Sequence, residues 1–358
     1  MMMKKKLIAI VVGAAAAVPA VAMADVSIYG RAHVSVDFLD DGARYSETNL
    51  SSNSSRLGFK GDHQINPDLK AFFQIEQEIL FGSGTGSSFN TRDTFVGLSG
   101  NFGAVQLGRF DSPFKVARGP ANLFGDQLGD MRNLTRVGDG RYDERYDNTI
   151  QYTTPNFSGF TGVLGYSVHQ GLSAGNDHES DSISASLNYA GGPVEVSFAY
   201  EKAEEDTRTR TIGGVVTPVG ARDGFRLAAA YKIIDPLKVV GFYQTVEHDS
   251  DNLTRAQNDV LSADTYGLGG EFAVAKNTAL KAMWLTRKAE ANNYDSDMWV
   301  VGLEHKLDKA VRVYANYAVV ENDDLVALRP WAEGRSAAPA GALGEDATGF
   351  SVGMRYDF

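Results

Sequence analysis

Early in the chain the run "DVSIYGRAHVSVDF" puts Val26, Ile28, Gly30, Ala32, Val34, Val36 and Phe38 on one parity, and Ser27, Tyr29, Arg31, His33, Ser35 and Asp37 on the other. Strict alternation of this kind gives a β-strand one apolar and one polar face. The run is too long for a typical soluble strand and about the length that crosses a bilayer when tilted. Apolar parities return at Leu69, Ala71, Phe73 and Ile75, at Phe198 and Tyr200, and at Tyr266 and Leu268. The chain ends on the same pattern, with Phe350, Val352, Met354, Tyr356 and Phe358 opposite Ser351, Gly353, Arg355 and Asp357. The faces opposite these apolar sets carry Gln74, Glu76, Glu195, Arg226, Arg312 and Asn316.

A soluble sandwich also alternates, so the connections have to separate it from a membrane barrel. Short turns fall at Asn66, Gly100, Pro155, Ala190, Ile233, Ala275 and Leu307. Between them lie long polar stretches near residues 40–54, 81–91, 111–145, 170–180, 203–222, 248–262, 290–296 and 321–346. Seven short turns and eight long loops separate about sixteen strands, the rhythm of an outer-membrane barrel with short turns at one rim. The expectation is an all-β, antiparallel transmembrane β-barrel whose closure leaves no backbone edge in lipid.

The first 24 residues, with Lys4, Lys5 and Lys6 ahead of an apolar run and Ala22-Met23-Ala24 at its end, read as a signal peptide cleaved after Ala24. Residues 25–358 then form the barrel domain. Removing those lysines takes the formal charge from −11 to about −14, an acidic balance that argues against nucleic acid as a partner. There is no cysteine, so disulfides and thiolate metal sites are excluded, and no cofactor is expected. Glycine (38) with tyrosine (15) and phenylalanine (19), against only 10 prolines, suits many strands and turns.

The blocks "DVSIYG", "SRLGFKGD" (Ser55 to Asp62), "VGLSGNFGAVQLGR" (Val96 to Arg109), "RYDNTIQYTTPNFSGF" (Arg145 to Phe160) and the terminal "GFSVGMRYDF" resemble the trimeric general-diffusion porins of Gram-negative outer membranes. The likeness is to the beta-proteobacterial branch, with the neisserial and comamonad porins, and it spans the whole mature chain. It implies a homotrimer in outer-membrane lipid and lipopolysaccharide that passes small hydrophilic solutes and ions. It also implies a third loop folded into the lumen, here about residues 111–144, with acidic residues Asp126 and Asp130 facing a basic wall of Arg56, Arg92 and Arg145. Tyr356 and Phe358 resemble the signal read by the barrel-assembly machinery.

Parity places Arg56 and Arg145 inward, whereas Arg92 precedes a segment apolar on both faces, and Arg109 belongs at a strand end or subunit contact. The same loop holds Lys115, Arg118, Arg132, Arg136 and Arg141, so weak to moderate anion preference is expected. Acidic outer loops such as "ENDD" would draw cations, but charges beyond a Debye length of ~8 Å are screened. Two alternatives remain from the residues alone, a plugged structural or adhesive barrel and a barrel enzyme. No histidine stands in a nucleophile-base arrangement, and His33 reads as a lumen-lining side chain. "GSGTGS" lacks the Lys-Ser/Thr pair of a phosphate loop and reads as a flexible second loop.

Overall fold

The computed structural model describes residues 25–82, 92–137, 143–168, 181–204, 206–212, 215–219, 221–251 and 253–358. The expected signal peptide, Arg141 and most of the second loop lie outside the described residues. The strands are β1 (Asp25–Asp40), β2 (Ser46–Ser52), β3 (Arg56–Asn66), β4 (Leu69–Glu78), β5 (Thr94–Gly100), β6 (Gly103–Asp111), β7 (Arg145–Thr153), β8 (Phe160–Ser167), β9 (Ser182–Gly191) and β10 (Val194–Ala203). After a loop hairpin of β11 (Asp206–Ile212) and β12 (Val215–Val219) come β13 (Arg222–Ile234), β14 (Leu237–His248), β15 (Ala263–Ala275), β16 (Thr278–Ala289), β17 (Ser296–Lys306), β18 (Val311–Asn322) and β19 (Ala347–Asp357).

All but β11 and β12 join one antiparallel sheet of 17 segments, and β19 returns to β1 with Phe350 opposite Phe38 and Tyr356 opposite Ala32. The segments β2 and β3 lie end to end along β1, against Val34 to Asp40 and Asp25 to Arg31 respectively. They make one stave, and the closed barrel has 16. The seven short turns fall where the sequence places them.

The first expected loop, residues 40–54, is corrected. Ser46–Ser52 is strand, paired through its backbone, although SETNLSS carries no apolar alternation to announce it. Between β2 and β3, Ser54 takes φ 53°, and side chains repair the interrupted ladder. Ser55 Oγ accepts from His33 N–H at 2.9 Å and donates to His33 C=O at 2.8 Å, and Asn53 Nδ2 donates to Ser35 Oγ at 2.9 Å.

The outward parity is apolar and exposed all round, as at Ile28, Phe38, Leu164, Leu187, Phe198, Leu268, Trp299 and Val352. Those side chains meet lipid, and some rings also pack on a cross-strand neighbour, as Phe38 does on Phe350 and Phe198 on Phe225. The seam closes on an aromatic: Gly30 N–H donates to the Phe358 carbonyl at 2.9 Å, and a Cβ at Gly30 would come within 2.4 Å of the Phe358 ring.

The inward parity divides. From β13 to β18 it carries Ala228, Ala230, Val240, Phe242, Met283, Leu285, Met298, Val300, Ala318 and Val320, all buried. On this bed lie Ala121, Leu123, Phe124, Leu128, Met131 and Leu134 of the third loop and Trp331 of the last loop. Burying each of the larger of these side chains contributes about 1.5–3 kcal/mol, which is what draws the third loop into the barrel. The remaining arc, β1 to β10, keeps a polar inner wall.

Candidate functional site

The third loop leaves β6 at Asp111 and turns at once, because Ser112 Oγ accepts from Lys115 N–H at 3.1 Å and Pro113 opens the helical turn Pro113–Val116. Leu123 and Phe124 pin the loop to the apolar bed, which pushes the next residues toward the opposite wall. There Asp126 adopts φ 60°, and its N–H donates to Asp130 Oδ2 at 2.7 Å. Asp130 Oδ1 accepts from Arg132 N–H at 2.9 Å. Asp130 is 1 % exposed, and burial raises its carboxyl above the usual carboxylate range. It stands behind the tip as a positioning group, while Asp126 alone reaches the lumen.

The Asp126 carboxylate lies 3.4 Å from Arg31 and 3.5 Å from Arg56. Burial would raise its pKa, but Arg56 and Arg31 outweigh that and hold it below the ordinary value. Arg56 also faces Glu76 at 3.7 Å, Arg92 meets Glu76 at 2.5 Å, and Tyr29 donates to the same carboxylate at 2.9 Å. Further round, Arg145 pairs with Asp93 and, at 2.8 Å, with Asp111, which in turn holds Lys115 at 3.0 Å. The result is a belt of alternating charge on the inner wall from β1 to β7. Arg56, Arg92 and Arg145 all lie on it.

Counting back by parity from Thr149 does not explain Arg145. The register of β6 and β7 shifts between Gly108 and Phe110, and Asn148 has φ 49°, so Tyr146 is buried instead. Arg145 reaches the belt from the strand end. Arg109, near the end of β6, pairs with Asp147 at 2.5 Å.

The other basic loop residues that are described, Arg118, Arg132 and Arg136, are spent on holding the loop. Asp143 accepts from Arg132 Nε at 2.7 Å and from Arg226 at 2.7 Å, with Arg118 at 3.8 Å. Burial opposes its ionisation, yet Arg226, Arg132 and Arg118 hold its carboxyl far below the usual range. Arg226 also donates to Phe114 C=O at 2.7 Å and to Gln244 Oε1 at 3.0 Å, and Gln244 Nε2 donates to Thr135 C=O at 2.7 Å. Both legs of the loop are thereby tied to β13 and β14. Arg136 pairs with Glu144 and, at 3.2 Å, with Glu333.

Glu333 belongs to the last long loop, which the sequence places at the rim. The structure corrects this: the segment turns into the barrel. Trp331 is fully buried, Glu333 meets Arg132 at 3.0 Å, Gly129 N–H donates to Pro330 C=O at 2.7 Å, and Arg335 pairs with Asp37 on β1. His33 is corrected too. It is fully buried, with Nε2 2.9 Å from Tyr314 Oη, and lines no open surface.

Arg31, Glu76, Asp93 and Asp111 were missed as site residues. Arg31 and Glu76 sit on the polar parity of their strands, which was the available signal, whereas Asp93 and Asp111 carry none beyond adjacency to Arg92 and Phe110. Among the described residues no group of three or more His, Asp or Glu is placed to hold a metal ion.

A closed barrel, apolar outside, narrowed by an inward loop against a charged wall, is a transmembrane diffusion channel of the porin class. The chain belongs to the Gram-negative porin family, whose model matches residues 9–325. It is 32% identical to the outer membrane porin protein 32 of Delftia acidovorans over 99% of this chain and 100% of that one. It is 32% identical to the major outer membrane protein P.IB of Neisseria meningitidis serogroup B over 56% of this chain and 60% of that protein. Among solved structures, the anion-selective porin from Comamonas acidovorans superposes with a TM-score of 0.77 at 28% identity, over 94% of this chain and 100% of that one. The protein is therefore an outer-membrane porin, a passive channel for small hydrophilic solutes, and the Delftia and Comamonas relatives are themselves porins.

Proposed function

We propose that Arg56, Arg92 and Arg145, joined by Arg31, form the basic wall of the constriction, that Asp126 is the acidic partner supplied by the third loop, and that the pore has a weak to moderate preference for anions. The observation that carries the reading is the contact of one loop carboxylate with two guanidinium groups, Arg31 at 3.4 Å and Arg56 at 3.5 Å. Along the belt, five bases (Arg31, Arg56, Arg92, Arg145, Lys115) stand among four acids (Glu76, Asp93, Asp111, Asp126), and Asp357, 2.8 Å from Arg31, is matched by Arg355 at 2.8 Å. A small local excess of positive charge in a narrow passage raises the local anion concentration. The anion-selective porin from Comamonas acidovorans points the same way.

The same reading includes export on a signal peptide cleaved after Ala24, assembly as a homotrimer, contact with lipopolysaccharide at the long-loop rim, and recognition of Tyr356 and Phe358 by the barrel-assembly machinery. A channel rather than a barrel enzyme is supported by the occupation of His33 Nε2 by Tyr314. The inward last loop gives the plugged-barrel alternative its one support, and the same experiment decides it. Reversal potential in a planar bilayer under a salt gradient is measured for the protein and for a variant with Arg56, Arg92 and Arg145 all replaced by Gln. Anion preference in the first that falls or reverses in the second supports the wall. Unchanged selectivity removes it, and absence of conductance returns the weight to a plugged barrel.

A further inference from the structure

Away from the charged belt, a cavity of about 390 Å³ lies between the third loop and the inner wall of β7 to β10. It reaches Asn156, Gly159 and Ala190, so it opens toward the short-turn rim. Its two walls differ in kind. The loop contributes Pro113, Val116 and Pro120, and Val116 is 60 % exposed although it faces the lumen and not lipid. The barrel contributes hydroxyl and amide groups, among them Gln151, Ser186, Asn188 and Ser197.

Two carboxylates border the space. Asp111 is neutralised by Lys115 at 3.0 Å and Arg145 at 2.8 Å. Glu195, exposed on β10 near the short-turn end, has no ion pair or hydrogen bond among the described residues. An uncompensated carboxylate, a wall of oxygen acceptors and a bare hydrocarbon patch call for a guest with a cationic head carrying several donors and a short apolar body. An ammonium has three donors and no acceptor, and methylene groups gain by leaving water for Val116 and the prolines.

We propose that this slot binds small organic ammonium ions, the head on Glu195 and the neighbouring hydroxyl and amide oxygens, the hydrocarbon against Val116, Pro113 and Pro120. Anions are disfavoured there by Glu195, so the slot and the basic belt act on opposite classes of solute. A neutral polyol would use the oxygen wall but would gain nothing from Glu195 or Val116.

The proposal rests on the lumen being open, and the test separates the two. Single-channel conductance in potassium chloride is measured with n-butylammonium, methylammonium and 1-butanol added in turn, for the protein, E195Q and V116N. Channels that open in potassium chloride establish an intact, open barrel for each. The expected result is saturable block by n-butylammonium and none by 1-butanol. E195Q should raise the half-blocking concentration about two- to fivefold, as loss of a solvent-screened ion pair does. V116N should weaken block by n-butylammonium more than by methylammonium. Equal block by 1-butanol, a linear fall without saturation, or an unshifted half-blocking concentration in E195Q would each overturn it.

Discussion

Lys115 is the residue through which pH enters the constriction. Burial, reinforced by the neighbouring arginines, lowers its ammonium to about 8, against the pull of Asp111. Below that pH it is charged and helps neutralise Asp111; above it the charge is lost and Asp111 is left to Arg145. The belt then holds as many acids as bases, so anion preference should fall between about pH 7 and about pH 9, read as a shift in reversal potential. Lys115→Arg keeps its charge across that range and should flatten the profile. A second residue tests the outer face. Leu268, 68 % exposed in the middle of β15, meets lipid, so Leu268→Arg should cost about 2–4 kcal/mol in urea unfolding from vesicles.

At the scale of elements, the third loop is held by two different forces. Its apolar side chains set the depth at which it lies, and Arg226 with Gln244 sets where its two legs are fastened. Arg226 is fully buried with its guanidinium 4.0 Å over the Phe114 ring, so removing it strands Asp143 in a low-dielectric site with one fewer partner. Breaking a buried pair of this kind costs about 3–5 kcal/mol. Arg226→Gln should leave a barrel that inserts and conducts, with a loosened loop seen as increased open-channel noise and a broader conductance distribution. The last loop is fastened to the third through Glu333 and to β1 through Arg335, so cutting one contact should disturb both loops.

At the scale of the molecule, closure depends on small residues under large ones. The Phe358 ring occupies the space that a side chain at Gly30 would need, and the Arg56 carbonyl lies 2.8 Å from the same point. Gly30→Val should therefore lower the yield of closed barrel, measured as the heat-modifiable band on a gel, more than Ala32→Val on the same face of β1. Sixteen staves and seven short turns were legible because lipid imposes one rule on every strand, apolar out and period two, while the inward third loop was expected from the likeness to the porins. Where that rule does not operate the reading failed. Ser46–Ser52 pairs by backbone alone, the apolar inner face of β13 to β18 answers to a loop and not to lipid, and Trp331 and Arg335 lie in a segment whose polar composition suits a rim.

The sequence by itself determined the barrel, its orientation of faces and its turns, since each follows from periodicity and spacing along a short stretch of chain, whereas the proposed basic wall of Arg56, Arg92 and Arg145 rested on the family resemblance. Only the tertiary structure decided which carboxylate meets which arginine. Arg31 and Asp126, Arg226 and Asp143, and Arg132 and Glu333 are far apart in the chain and come together because two loops pack on an apolar bed. No local period encodes that contact, because it is fixed by the shape of the closed barrel into which the loops fall.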